Sequence, residues 1–254
     1  MIVSARIYFI TIAELFHFGV RFIKEVVRPP FEWKEIARQS YLLGFLSLGL
    51  VSITAFILGL VLTIQSRPTL VEFGAESWLP SMVSLSIIRE IGPVITALIC
   101  AGKIGSGIGA ELGSMRVTEQ IDAMEVSGTN PYKFLVVSRV IATTLMLPLL
   151  VILADTIALA GCFTAINLKD SISFPLFFRQ VFVALNYTDI FPSVFKSILF
   201  GFFIGIIGCF MGYQTKKGTA GVGRSANSAV VTSSLAIFII DLIIAQLSDL
   251  LFEL

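Results

Sequence analysis

Five apolar runs, each long enough to cross a lipid bilayer as a helix, dominate this sequence of 254 residues. A membrane-spanning helix needs roughly 20 consecutive apolar residues. The runs cover residues 42–64, 83–102, 135–166, 197–214 and 229–251. The chain is 56% hydrophobic and only 14% charged, whereas soluble domains carry about 25% charged residues. This composition excludes a water-soluble enzyme and a disordered chain. The predicted fold class is an all-α integral membrane protein with five transmembrane helices.

The segment before the first span has a different pattern. Polar side chains recur every three or four positions over 6–28, between wide apolar stretches, as in an amphipathic helix that lies in the membrane interface. The polar positions are Thr11, Glu14, His17, Arg21, Lys24 and Arg28. Pro29 and Pro30 end this helix, and a short charged helix is expected near 31–39. We therefore predict an interfacial helix and connector over 1–40 and a five-span membrane domain over 41–254.

The basic residues indicate the orientation of the spans. The first 40 residues hold six Lys and Arg, the connection between spans two and three holds four, and the connection between spans four and five holds three. The other connections hold Arg67, Lys169, Arg179 and Lys196. Cytoplasmic segments are enriched in Lys and Arg. The N-terminus is therefore predicted on the cytoplasmic side and the C-terminus on the opposite side.

Several kinds of chemistry are excluded by what the sequence contains. His17 is the only histidine, which excludes HExxH zinc sites, and excludes a Ser-His-Asp triad unless His17 itself serves. The three cysteines lie far apart inside apolar runs and are expected to be buried hydrophobic residues rather than metal ligands. No GxxxxGK[ST] motif is present, so the chain does not bind ATP through a P-loop. With a net charge of +1, no nucleic-acid partner is expected.

Four charged residues fall inside the apolar runs. Arg89 and Glu90 lie in the second run, Asp155 in the third and Asp241 in the fifth. Each charge at mid-membrane costs about 2.5–3.5 kcal/mol. Arg89 and Glu90 therefore either form ion pairs with another helix, with Asp155 or Asp241 as partner, or contact a substrate in an internal cavity. Asp241 is expected to be buried and paired.

Small residues follow the second run. Gly105, Gly109 and Gly113 are four residues apart and form one smooth helical stripe suited to close helix packing. Gly105, Gly107 and Ala110 also match a dinucleotide-binding pattern. That interpretation is rejected because the preceding run is a membrane helix and no βαβ unit surrounds it.

The segment 111–126 is predicted to be one amphipathic helix on the cytoplasmic side, ended by Gly128. Its polar and apolar side chains of interest are Glu111, Met115, Arg116, Glu119, Asp122, Met124 and Glu125. The pattern leaves two interpretations equally open, a solvated connector and a docking helix for a cytoplasmic partner. Two further expectations concern irregular segments: Arg67-Pro68 breaks the first helix, and 216–225 forms a basic, flexible loop.

Two stretches carry a resemblance to a known family: R-E-I-G-P-V at 89–94 and A-G-K-I-G-S-G-I-G-A-E-L-G-S-M-R-V-T-E-Q-I-D-A-M at 101–124. They closely resemble the signature of MlaE-type permeases, the membrane subunits of ABC transporters that work with MCE-domain proteins in lipid traffic. The likeness extends to Gly221–Arg224 and to Ser233, Ser234, Leu235 and Asp241. Two departures are Lys103, where Arg is usual, and 225–228, which replaces a more Thr-rich stretch.

The resemblance implies a permease homodimer in the bacterial inner membrane, with its C-terminus in the periplasm and no enzymatic activity of its own. It implies a cytoplasmic ABC ATPase dimer that binds ATP and Mg, so no cofactor is expected in this chain. An MCE-domain protein, expected as a hexamer, would lie on the periplasmic side, with a STAS-domain protein as an accessory partner.

The resemblance also assigns roles to segments. Residues 111–126 would be the coupling helix inserted into the ATPase. A phospholipid pocket at the dimer interface would be lined by Leu62, Thr69, Leu70, Phe73, Arg89 and Glu90. The alternatives are a proton-coupled secondary transporter and an intramembrane lipid-modifying enzyme, both of which would use Glu90, Asp155 and Asp241. No inverted repeat supports the former.

Overall fold

The computed structural model describes residues 2–29, 31–169, 171–216 and 218–252. It is 89% helical, and no strand occurs among the described residues. The α-helices are α1 (Ile2–Val26), α2 (Trp33–Leu43), α3 (Leu48–Glu72), α4 (Leu79–Ser86), α5 (Gly92–Cys100), α6 (Ser106–Val117), α7 (Gln120–Val126), α8 (Ser138–Asn167), α9 (Phe174–Ala184), α10 (Tyr187–Tyr213) and α11 (Thr219–Phe252). Short π-helical turns cover Ile87–Ile91, Ala101–Gly105 and Tyr132–Val137.

Five helical runs of the described chain are long and apolar enough to cross a membrane, which confirms the predicted fold class. They are Trp33–Glu72, Glu76–Val117, Tyr132–Asn167, Tyr187–Tyr213 and Thr219–Leu251. The fourth run begins ten residues before the predicted 197, because the polar residues of its first turns pair inside the protein instead of ending the helix. This difference places Lys196 inside a span.

Two predicted breaks in the helices are wrong. Pro68 lies inside α3, which continues to Glu72. A proline one turn from a helix end removes a single backbone donor, and the Phe73 N–H still donates to the Thr69 carbonyl at 3.3 Å. The predicted loop 216–225 is also mostly helical, since α11 begins at Thr219.

The chain divides into two compact units. The first comprises residues 1–44, 100–145 and 201–235, and the second comprises 45–99, 146–200 and 236–254. Each unit therefore joins three segments that are distant in the sequence, and each has its own packing.

In the first unit, an aromatic cluster attaches α1 to the turn before α8 and to α10. The ring of Phe18 lies 4.9 Å from that of Tyr132 and 5.6 Å from that of Phe210, and the Tyr132 hydroxyl donates to the Phe18 carbonyl at 2.6 Å. Another side of α1 exposes a stripe of large apolar residues spaced as on one helical face. These are Ile12, Phe16 and Ile23, which are 60–75% exposed, and the exposed Val27 follows directly after the helix. Such a face suits a helix in the membrane interface, which stays a prediction.

The glycine stripe of α6 lies against α10 and α11 in the same unit. The Ser225 hydroxyl donates to the Gly109 carbonyl at 3.0 Å, and a Cβ at Gly113 would lie 2.9 Å from that hydroxyl. Gly105 is less crowded, because a Cβ there would lie 3.6 Å from Ile204. This close packing of small residues explains why the segment after 218 is helical rather than a flexible loop.

In the second unit, α3 and α8 approach closely at two glycines. A Cβ at Gly59 would overlap the carbonyl of Ala158, and a Cβ at Gly161 would overlap the carbonyl of Phe56. The loop after α3 is held by an ion pair between Arg67 and Glu76 at 2.7 Å. Close backbone contact fixes the α3–α8 pair without large side chains between the helices.

Candidate functional site

A buried ammonium group connects two of the charged residues that the sequence places in spans. The Lys196 Nζ donates to the Glu90 Oε2 at 2.7 Å and to the Asp241 Oδ1 at 2.8 Å. The Lys196 side chain is 1% exposed, whereas that of Glu90 is 43% exposed. One cation from α10 thus serves two carboxylates, one from the turn Ile87–Ile91 and one from α11. We call these three residues the Lys196 network.

The neighbouring arginine has a different partner. The Arg89 Nε lies 3.4 Å from the Oδ1 of Asp189, whose side chain is 4% exposed. Arg89 and Glu90 lie on a π-helical turn and pair with two different residues of α10, Asp189 and Lys196. Such turns are frequent at functional sites. Both residues therefore form ion pairs with another helix, Glu90 through the Lys196 that it shares with Asp241, and the alternative of a substrate contact stays a prediction.

Sequence reasoning missed Lys196 as an intramembrane residue. It was assigned to a connection because the fourth span was predicted to begin at 197, one residue later. The signal that would have found it is the helical pattern of 187–196, which continues the apolar face of the span upstream.

The same charges also line a small cavity of about 170 Å³. Its walls are formed by Arg89, Glu90, Pro192, Lys196, Ile244, Ala245, Ser248 and Asp249. Pockets for drug-sized ligands measure about 300–1,000 Å³, so this cavity has room for water or part of a headgroup but not for a whole phospholipid.

The four α3-side residues of the predicted lipid pocket lie elsewhere. Leu70 is 9% exposed and Phe73 is 80% exposed, while Leu62 is half-buried and Thr69 is exposed. None of the four lines the cavity of Arg89 and Glu90. A single chain therefore does not bring the six predicted residues together, and a pocket shared by two copies stays a prediction.

A larger groove runs along another face of α3, with a volume of about 470 Å³. Its lining residues are Thr63, Ile64, Arg67, Pro68, Val71, Glu72, Ala165, Leu168 and Lys169. The walls are mainly apolar, and their charged residues are Lys169, Glu72 and Arg67, of which Arg67 is paired with Glu76. The groove offers room for an acyl chain beside the basic side chain of Lys169.

Asp155 stands apart from the Lys196 network. Its Oδ1 is buried and has no hydrogen-bond partner among the residues that the structure describes. It faces Gly92, where a Cβ would overlap this oxygen. The expectation that Asp155 pairs with Arg89 or Glu90 is therefore wrong. In the described part of the chain, no group of three His, Cys, Asp or Glu side chains is placed to hold a metal ion.

The amphipathic segment 111–126 is two helices rather than the single helix predicted. α6 ends at Val117 and α7 begins at Gln120. Between them Glu119 adopts a left-handed conformation with φ of 59°, which no sequence rule assigns to glutamate. The Arg116 guanidinium donates to Asp122 across this turn. As predicted, Gly128 follows the end of α7, with φ of 82°.

Two wholly buried side chains anchor this pair of helices, Leu112 and Ile121, each 0% exposed. The exposed side chains around the turn and along α7 form what we call the α6–α7 surface: Glu119, Asp122, Glu125 and the 91% exposed Val126. Met115, Arg116 and Met124 are half-buried beside it. The arrangement presents three carboxylates and an apolar side chain on a well-anchored element, which is complementary in charge to a basic partner surface.

The base of this element is tied to α8. The Arg139 Nη2 lies 2.8 Å from the Glu111 Oε1, with Arg139 only 2% exposed and Glu111 50% exposed. Arg139 was counted in the sequence among connection residues, and its burial was not anticipated.

Comparison with known proteins gives consistent results. The family described as Permease MlaE matches residues 36–247. A probable ABC transporter permease protein of Rickettsia typhi is 40% identical over 225 residues, 89% of this chain and 87% of the relative. One from Synechocystis is 43% identical over 201 residues, 79% and 76% of the two chains. The chloroplastic protein TRIGALACTOSYLDIACYLGLYCEROL 1 of Arabidopsis thaliana is 34% identical over 224 residues, 88% of this chain and 64% of that protein.

Proposed function

Because this chain belongs to the MlaE permease family, we propose that it moves phospholipid between the bacterial inner membrane and a periplasmic MCE-protein assembly, driven by ATP hydrolysis in a separate subunit. The family and its relatives establish a multi-pass permease subunit of an ABC transporter, which implies a partner ATPase. The substrate and the MCE partner are the parts that we propose.

The observation that carries the proposal is the α6–α7 surface. The sequence contains no P-loop, so the energy of ATP must reach the spans through contact with another protein. The α6–α7 surface presents exposed carboxylates on helices anchored by Leu112 and Ile121. An exposed element that is anchored by buried side chains could pass the movement of a bound ATPase to the helices that it contacts.

Two features support a lipid substrate. The groove along α3 has mainly apolar walls for an acyl chain, with Lys169 for a phosphate group. The Arabidopsis relative carries the name of a diacylglycerol lipid. In the proposed homodimer, Leu62, Thr69, Leu70 and Phe73 of two copies would complete the pocket near Arg89 and Glu90. A STAS-domain accessory protein belongs to the same proposal.

The alternatives based on proton transfer have less support. A secondary transporter or a lipid-modifying enzyme would use Glu90, Asp155 and Asp241 as bases. Glu90 and Asp241 are both paired with Lys196, whereas the buried Oδ1 of Asp155 has no hydrogen-bond partner among the described residues. The three carboxylates therefore do not form one hydrogen-bonded path for a proton.

The test is purification of the tagged chain expressed with its genomic neighbours, followed by mass spectrometry of the proteins and lipids recovered. We expect an ATPase, an MCE-domain protein and bound phospholipid. Glu119→Lys should release the ATPase, because it reverses a charge of the α6–α7 surface. Glu14→Lys is the matched control, since it reverses an exposed carboxylate of α1 that lies outside the α6–α7 surface and the groove along α3. Recovery of the chain alone, without ATPase or lipid, would contradict the proposal.

A further inference from the structure

An arginine that is almost completely enclosed by protein connects α6 to the start of α8. Arg139 is the second residue of α8 and is the largest of the side chains that are less than 2% exposed. It donates from Nη1 to the Leu135 carbonyl at 2.9 Å, and its Nη2 lies 2.8 Å from the Glu111 Oε1. Its Nε has no hydrogen-bond partner among the described residues. Glu111 is therefore the group that compensates this buried charge.

The remaining contacts of α6 are of another kind. Towards α10, Leu112 lies against Gly212. Towards α11, Gly109 lies against Ala226, and the Ser225 hydroxyl donates to the Gly109 carbonyl at 3.0 Å. This neutral hydrogen bond holds α6 to α11, whereas the small residues at both contacts offer few side chains that interdigitate. A charged hydrogen bond holds both its distance and its direction. The Glu111–Arg139 pair is thus a directional link between α6 and α8.

Arg139 also acts on a backbone that departs from regular α-helix. The turn Tyr132–Val137 is π-helical. Such a turn contains one more residue than an α-helical turn, and this one lies immediately before α8. By donating to the Leu135 carbonyl, Arg139 ties this turn to the same guanidinium group that binds Glu111. A displacement of α6 would therefore pull on the π-helical turn and on the first turn of α8.

We propose that Arg139 and Glu111 are positioning residues that transmit displacement of the α6–α7 element to α8, so that breaking the pair uncouples ATP hydrolysis from lipid movement while the ATPase stays bound. This inference rests on the proposed function. It names the residue pair through which a movement of the ATPase would be transmitted to α8, the helix of the third span.

The test measures phospholipid moved per ATP hydrolysed in the purified complex reconstituted into vesicles. Glu111→Gln keeps the size of the side chain and removes its charge, and Glu111→Asp keeps the charge but shortens its reach. We expect both to lower the ratio at least about tenfold, the size of a lost charge-assisted hydrogen bond. ATPase recovery and the ATP hydrolysis rate should remain near those of the wild type. Glu14→Gln, an exposed carboxylate of α1 outside both the pair and the α6–α7 surface, should leave the ratio unchanged.

Arg139 is buried, so its replacement can impair folding as well as coupling. Exchanging the two charges between positions 111 and 139 distinguishes these two effects. Arg139→Glu alone is expected to be poorly folded, whereas Glu111→Arg combined with Arg139→Glu should recover folded protein and part of the lost ratio. An unchanged ratio in Glu111→Gln and Glu111→Asp would overturn the inference. A fall in ATPase recovery equal to the fall in lipid movement would also overturn it, since the pair would then serve assembly.

The wild-type complex separates the two failures. ATP-dependent lipid movement in the wild type together with full coupling in Glu111→Gln refutes only the role of the pair. Absence of ATPase from the wild-type preparation refutes the proposed function, and the role of the pair with it.

Discussion

The Lys196 network of the second unit and the α6–α7 surface of the first both concentrate charge in a chain that has little of it, but in opposite environments. Lys196 is 1% exposed and bound to two carboxylates. Glu119, Asp122 and Glu125 are exposed. The ion pair between Arg116 and Asp122 is also exposed, with side chains that are 39% and 52% accessible. A buried charged side chain must be paired inside the protein, whereas an exposed one remains available to bind another protein.

The comparison therefore predicts different consequences of mutation. Substitutions in the Lys196 network should lower stability, because each leaves a buried group without its partner. Substitutions on the α6–α7 surface should leave stability nearly unchanged and alter binding instead. The predictions that follow are ordered by the size of their expected effect.

The largest effect is expected for Lys196→Met, which removes the cation and leaves Glu90 and Asp241 facing each other. The free energy of unfolding in detergent should fall by about 3 kcal/mol. This is the low end for a broken buried pair, because Glu90 is 43% exposed in the single chain. Adding Glu90→Gln and Asp241→Asn to Lys196→Met should restore much of the loss, since no charge is then unpaired. Wild-type stability of Lys196→Met alone would remove the contrast between the two regions.

The next largest effect concerns close helix packing in the second unit, which two glycine substitutions in α3 test without changing any charge. Gly59→Ala places a methyl group against the carbonyl of Ala158, whereas Gly49→Ala, on the same helix, meets nothing within 4 Å. The first should lower the free energy of unfolding by about 1–3 kcal/mol. The second should raise it by about 0.5–1 kcal/mol, because alanine favours helix over glycine. Both are measured by thermal or denaturant unfolding, and equal effects would refute the close α3–α8 contact.

The smallest effect is expected at the turn between α6 and α7. Glu119→Gly removes the strain of a left-handed glutamate, which is about 1–2 kcal/mol, and adds a glycine's entropy loss of about 0.5–1 kcal/mol. The net change in unfolding free energy should be a gain between zero and about 1.5 kcal/mol, while ATPase binding weakens because a carboxylate is lost. Calorimetry and co-purification together check this. A large loss of stability would show that Glu119 belongs to the folded core rather than to a binding surface.

The sequence predicted the large-scale architecture because it depends on long-range composition. Five apolar runs of sufficient length dictate five spans, and charges such as Glu90 and Asp241 inside them demand partners. The partners themselves were harder to identify. Lys196 adjoins the predicted end of a span, and a hydropathy window counts a lysine there as loop, although two carboxylates on other helices make its burial possible.

The turn between α6 and α7 and the start of α11 could not be predicted from the sequence for a related reason. Glu119 gives no sign of its positive φ, since glycine is the residue that normally marks such a turn, so α6 and α7 were predicted as one helix. The start of α11 was taken for a loop because its glycines and serines favour loops when isolated. Packing against Gly109 makes the same small residues suitable for a helix. In each case tertiary contact outweighs the local preference.

The most direct test of the account is phospholipid movement in vesicles that contain this chain with its ATPase and MCE partners. We expect movement that requires ATP hydrolysis, stops when Glu119→Lys detaches the ATPase, and does not depend on a proton gradient. Movement that continues without the ATPase, or that follows a proton gradient and is lost in Asp155→Asn, would contradict it and favour proton-coupled transport.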